Sequence, residues 1–136
     1  LDKRLIEVLQ TYIRTELLDA AFYRELALMA PDEAQRDFIL QIAADEQSHA
    51  DDFKILYRQL TGENYHPDLP PVRLEGPYNQ ILRDRVVDEI SDYQKYMYEQ
   101  QEYFYESSLR EAFLRAAVDE NVHAVRLLEL AGTQTP

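Results

Sequence analysis

A short phrase that occurs twice limits what this chain can become. Residues 45–49 read Asp45-Glu46-Gln47-Ser48-His49, and residues 119–123 read Asp119-Glu120-Asn121-Val122-His123. Both are Asp-Glu-x-x-His, and both interrupt apolar stripes of helical period. Around the first copy the stripe is Ile39, Ile42, Ala43, then Ala50, Phe53, Leu56 and Leu60. Around the second it is Phe113, Ala116, Ala117, then Ala124, Leu127 and Leu130. Residues three apart share a helix face, so each Glu and its His point the same way, into the apolar side. A carboxylate in a core needs a compensating partner, and a metal ion fits that need here.

The spacing predicts four helices at about residues 3–29, 31–61, 78–106 and 108–131, with a linker over 62–77. The first carries Leu5, Leu9, Ile13, Leu17, Ala20, Tyr23, Leu26 and Ala27 at the helical period. Ala30-Pro31-Asp32 breaks it, with Pro31 suited to the first turn of the second helix and Asp32 and Glu33 to its positive end. Thr61-Gly62 is a C-terminal glycine signal. The third helix is expected to turn Ile81, Leu82, Val86, Ile90, Tyr93, Tyr96 and Met97 inward. Ser108 with Glu111 reads as a capping box opening the fourth. With no strand pattern, the expectation is an all-α chain, one domain over residues 1–136, folded as a four-helix bundle. The linker holds four of the six prolines and two of the three glycines. Its sixteen residues, extended, reach about 53 Å, and a 28-residue helix is about 42 Å long. It can therefore run the length of a bundle, which the turn at Ala30 cannot.

The halves repeat beyond the phrase. Glu16 precedes Glu46 and Glu89 precedes Glu120 by nearly equal intervals, and each is followed seven residues on by a tyrosine, Tyr23 or Tyr96. Both glutamates interrupt apolar stripes. In an antiparallel hairpin, level residues are equidistant from the turn. The midpoint of Glu16 and Glu46 falls on Pro31, and that of Glu89 and Glu120 falls near Ser107. Each hairpin thus sets a lone Glu level with its Glu-x-x-His. Stacking two such hairpins would bring four carboxylates and two imidazoles to one layer. Hard oxygen donors with a few imidazoles suit iron or manganese, and this is the ligand set of ferritin-like di-metal bundles. Neither motif has the His-Glu-x-x-His form, which argues against a zinc protease.

These six residues, their helix order and the long second connection resemble the rubrerythrin branch of the ferritin-like family, over nearly all of residues 3 to 131. The resemblance implies two iron ions, with manganese as the other candidate. Glu16 and His49 would be terminal ligands of one metal, Glu89 and His123 of the other, and Glu46 and Glu120 would bridge them. The family's additional third-helix carboxylate falls at Asp92, a shorter side chain here, and Asp19 holds the matching place after Glu16. The resemblance also implies a peroxidase that reduces hydrogen peroxide or dioxygen. In that reaction Glu16, Glu46, Glu89 and Glu120 are the reacting ligands, and Tyr23 and Tyr96 are candidate one-electron donors. Tyr12 and Tyr93, one turn from Glu16 and Glu89, are further candidates, and all four tyrosines also read as amphipathic core. The family's four-cysteine rubredoxin domain has no counterpart in these residues, so electrons are expected from a separate donor protein. A homodimer is expected, with exchange of hairpins between subunits open.

Asp45 and Asp119 read either as solvated residues or as acceptors for the free ring nitrogens of the histidines. Helix geometry favours Asp45 with His123 and Asp119 with His49. His66 falls in the linker and reads as a surface residue. The absence of cysteine excludes disulfides, thiolate zinc sites and iron–sulfur clusters. With no signal-peptide pattern at the N-terminus, the expectation is a cytoplasmic protein. The formal net charge of −12 argues against nucleic acid and anionic membrane surfaces as partners, and no apolar run is long enough to span a bilayer. Two bound divalent cations would offset about four of those charges. Ferroxidase or iron-handling activity is the second option, although nothing resembles a fifth helix for a storage shell. A non-catalytic, metal-stabilised interaction module is the third.

Overall fold

A computed structural model describes residues 2–134. Its elements are α1 (Lys3–Ala27), α2 (Glu33–Thr61), α3 (Tyr78–Glu102) and α4 (Ser107–Gly132), with no strand among the described residues. The chain divides within its linker into two compact units, one ending at Arg73 and the other beginning at Leu74. Each is a helical hairpin, α1 on α2 and α3 on α4.

In the first hairpin Asp2 caps α1, accepting a hydrogen bond from the Leu5 amide at 3.0 Å. The helix stops at Ala27, before residue 29, and its end tightens into bonds three residues apart, Leu28 N–H to the Glu25 carbonyl at 3.1 Å and Met29 N–H to the Leu26 carbonyl at 2.9 Å. Pro31 lies outside α2. Asp32 is its N-cap and accepts from the Gln35 amide at 2.8 Å, while Gln35 Nε2 reaches back to the other carboxylate oxygen. Gln35 donates both bonds, and the first satisfies one of the free amides at the start of the helix. α2 ends at Gly62, whose φ of 76° is the left-handed cap that glycine adopts without steric cost. The antiparallel register is set by Gln10 Nε2 donating to the Tyr57 hydroxyl at 3.0 Å and Arg24 Nη2 donating to Gln47 Oε1 at 2.9 Å. Leu9, Ile13, Ala20, Tyr23 and Leu26 pack on their face of α1, and Ile39, Ile42, Ala43, Ala50 and Phe53 on theirs of α2, all buried.

In the second hairpin α3 ends at Glu102, a turn earlier than its apolar pattern suggests. Arg110, in the first turn of α4, donates to the Phe104 carbonyl at 2.8 Å and lies over the Phe104 ring. That bond spans the turn between α3 and α4, and Tyr103, the C-cap of α3, has already left helical backbone at φ −107° and ψ 31°. The N-cap of α4 is Glu106, and it makes no side-chain cap bond. Ser108 therefore sits inside the first turn, and the Ser108–Glu111 capping box does not form. Tyr96 stacks on Phe113 with centroids 6.3 Å apart, and Tyr103 meets the same ring at 6.1 Å.

The buried face of α3 is rotated from the expected one. Ile90 is 45% exposed and Tyr93 and Met97 are half-buried, whereas Arg85, Glu89 and Glu99 are buried. At about 100° per residue, Ile90 points well away from the line through Arg85, Glu89 and Tyr96. No helix among the described residues is long and apolar enough to cross a membrane.

Candidate metal centre

Each hairpin builds one cluster. In the first, Glu16 stands in the middle of α1 and Glu46 and His49 one turn apart on α2, and all three are buried. His49 Nδ1 lies 3.4 Å from Glu16 Oε2 and 3.7 Å from Glu46 Oε1. In the second, Glu89 comes from α3 and Glu120 and His123 from α4, again all buried. His123 Nδ1 lies 3.3 Å from Glu120 Oε1 and 3.7 Å from Glu89 Oε2. Within each trio the potential ligand atoms lie within 4.8 Å of one another.

The donor set fits a cation. Two ligand atoms each about 2.1 Å from one ion, at tetrahedral or octahedral angles, stand about 3.0–3.4 Å apart. The observed separations are near this range. Two carboxylates per imidazole, sealed from water, form an anionic site that a multivalent cation would neutralise. Nδ1 is the nitrogen turned toward the carboxylates in both rings, which leaves Nε2 for an outer hydrogen bond.

Electrostatics can be followed at Glu89. Burial pushes its carboxyl up, but the polar groups of His123 and Glu120 beside it and the positive charges of Arg85 and His123 outweigh that. The net result is a pKa below the ordinary value of 4.5. Asp92 is half-buried on α3 and offers an oxygen within 4.8 Å of one on Glu120. Asp19 is buried on α1 at 9% exposure. Asp45 and Asp119 are half-buried, and Asp45 accepts from Gln41 Nε2 at 3.1 Å. Tyr23 and Tyr96 are fully buried, Tyr23 meeting Phe22 edge-on, and Tyr12 is half-buried against Phe53. His66 is exposed in the linker.

The sequence reading missed two buried charged groups, Arg85 and Glu99. Arg85 had a signal: it lies four residues before Glu89 and so on the same helix face. Glu99, three residues after Tyr96, had a weaker one of the same kind.

Comparison with known proteins follows the same lines. None of the curated proteins matches the chain. Among solved structures, nigerythrin in its fully reduced, all-ferrous state matches with a TM-score of 0.85 at 22% identity. The match covers 94% of this chain and 66% of that one, so this chain spans less than two thirds of the nigerythrin chain. A likeness at this identity shows the fold, which is the all-α, ferritin-like four-helix bundle. The rubrerythrin family's sequence model matches residues 7–131, a span that contains both clusters. The chain is a member of the rubrerythrin family, whose proteins are di-iron carboxylate proteins.

Proposed function

We propose that the two Glu/Glu/His clusters together hold a pair of iron ions, with manganese as the alternative, and that the protein reduces hydrogen peroxide or dioxygen. The observation that carries this is the duplicated trio of buried ligand atoms at metal-compatible spacing. Family membership supports the same reading.

A bound iron pair supplies electrons to the O–O bond and Lewis acidity to the oxygen that leaves. The residues do the rest. Four buried glutamates balance the charge of two cations, and their two oxygens each allow bridging or terminal binding. Glu16 with His49 and Glu89 with His123 would hold the ions as terminal ligands, and Glu46 and Glu120 as shared ones. For Nε2 of His49 and His123, Asp119 and Asp45 respectively are the proposed acceptors. Asp92 is the proposed extra carboxylate beside Glu120. Burial excludes bulk water, so proton delivery falls to these carboxyl groups. Reducing one peroxide to two waters takes two electrons and two protons. The electrons come from a separate donor protein, with Tyr23 and Tyr96 as candidates for transient one-electron donation. A cytoplasmic, homodimeric protein belongs to the same proposal.

The test is anaerobic iron loading followed by stopped-flow mixing with hydrogen peroxide and, separately, dioxygen. Rapid two-electron oxidation by peroxide is the expected result. Faster reaction with dioxygen favours ferroxidase chemistry. Metal that binds but reacts with neither favours a metal-stabilised interaction module. The exposed Val118, Val125 and Leu128 on α4 give that last reading its support.

A further inference from the structure

Exposed apolar residues on α4 fall at a regular spacing. Leu114, Val118, Val125 and Leu128, with Asn121 between them, stand alternately four and three residues apart, and Val122 flanks the line. The five apolar members are each 40% to 60% exposed. Ala116, Glu120, His123 and Leu127 of the same helix are buried. The helix therefore has one side committed to its own hairpin and a second, apolar side turned outward. Alternating intervals of four and three make a seam for another helix, unlike apolar residues scattered singly over a surface. The seam is also flanked by opposite charges. Arg115 and Glu129 are both exposed, and each lies seven residues from Val122.

We propose that this outer face of α4 pairs with the same face of a second copy of the chain, antiparallel, about a two-fold axis beside Val122. The proposal rests on the homodimer reading above, to which it gives a contact surface, and takes nothing from the metal site. A two-fold contact is self-complementary. In an antiparallel pair, flanking residues equidistant from the axis meet, so Arg115 of each copy meets Glu129 of the other. Val122 meets its own counterpart, and Val118 packs near Leu128 of the second copy. A parallel pair would set arginine level with arginine and glutamate level with glutamate. Charges placed evenly about one residue are what antiparallel self-pairing requires, and an unrelated partner has no such requirement. Arg115 has five N–H donors, enough to serve a carboxylate of its own chain and another across the contact. α4 carries three arginines against four acidic residues, so two copies meet here with little of the repulsion that a net charge of −12 imposes elsewhere. Asn121 is the polar member of the seam, and one such residue favours a single register at some cost in stability.

The test is analytical ultracentrifugation of the full chain from about 1 to about 100 µM, with far-UV circular dichroism to check folding. Wild-type protein dimerises reversibly over this range. Val125→Lys, at an exposed site, keeps its helix content and weakens the dimer about a hundredfold. Arg115→Glu or Glu129→Arg alone weakens it about tenfold, because each substitution counts twice in a two-fold pair, and the two together restore it. The chain has no cysteine, so single cysteines report the geometry. Val122→Cys joins two copies through a short bis-maleimide, whereas Leu114→Cys, about 24 Å from its counterpart in the antiparallel pair, does not. A chain that stays monomeric at every concentration overturns the proposal and the homodimer together. A dimer indifferent to Val125→Lys, or one that Leu114→Cys links as readily as Val122→Cys, overturns the antiparallel α4 contact and leaves the homodimer standing.

Discussion

His49 Nδ1 lies 3.4 Å from Glu16 Oε2, a contact that joins α2 to α1 and that no local helix geometry creates. It depends on hairpin register, and a one-turn slip of α2 along α1 would move the two groups about 5.4 Å apart along the axis. Gln10 with Tyr57 on one side and Arg24 with Gln47 on the other hold that register. In α3 and α4, Glu89 and His123 repeat the relationship at 3.7 Å.

If each imidazole serves one metal, removing either should remove one ion. His49→Ala and His123→Ala are each expected to lower iron from about two per chain to about one, with helix content unchanged. Elemental analysis after anaerobic loading, with far-UV circular dichroism beside it, checks this. Loss of both ions in either variant would mean that the two clusters do not bind separably.

Metal removal should also lower stability. Each site saturated at about one hundred times its dissociation constant adds about 2.7 kcal/mol. For a chain of this size that raises the melting temperature by on the order of 10 °C per site. Calorimetric scans with iron and with chelator measure the difference. Equal melting temperatures would count against a metal held by the folded state.

Acid should act through Glu89. Its pKa in the folded protein lies below 4.5. A carboxyl of that kind stabilises when ionised, so its contribution is complete above the unfolded value and is lost as pH falls through the lower folded value. Urea unfolding of metal-free protein at about pH 6 and about pH 3 should therefore show a steeper loss for wild type than for Glu89→Gln. Parallel losses would remove Glu89 as a source of the acid sensitivity.

Tyr96 separates packing from chemistry. Tyr96→Ala empties a buried site against Phe113 and is expected to cost about 3–5 kcal/mol. Tyr96→Phe keeps the ring and should cost about 1 kcal/mol, with full metal content. If Tyr96 donates an electron, freeze-quenched wild-type protein shows a tyrosyl radical signal after peroxide, and Tyr96→Phe lacks it. Identical spectra would leave Tyr96 a core residue.

Much of the site was legible because its signals are periodic. Glu16, Glu46, His49, Glu89, Glu120 and His123 stood out as polar residues breaking apolar stripes, and all six are buried. Equal distance from a turn was enough to set Glu16 level with the Glu46–His49 motif and Glu89 level with the Glu120–His123 motif. Helix ends were less legible. α3 ends at Glu102 ahead of a turn that Arg110 of the next helix braces at the Phe104 carbonyl, and α2 starts after Asp32 in place of Pro31. Such competition between neighbouring caps is decided by small energy differences that composition does not reveal.

The sequence by itself determined the all-α class, the two hairpins and the residues able to bind metal, because a period of 3.6 assigns each side chain to a face. Only the tertiary structure decided the orientation of α3, which leaves Ile90 outside and brings Arg85 inside. It also decided which oxygen of Glu89 faces the guanidinium and which faces His123. The physical reason is that periodicity fixes direction around one helix, whereas burial of a charge depends on the partners that neighbouring side chains supply.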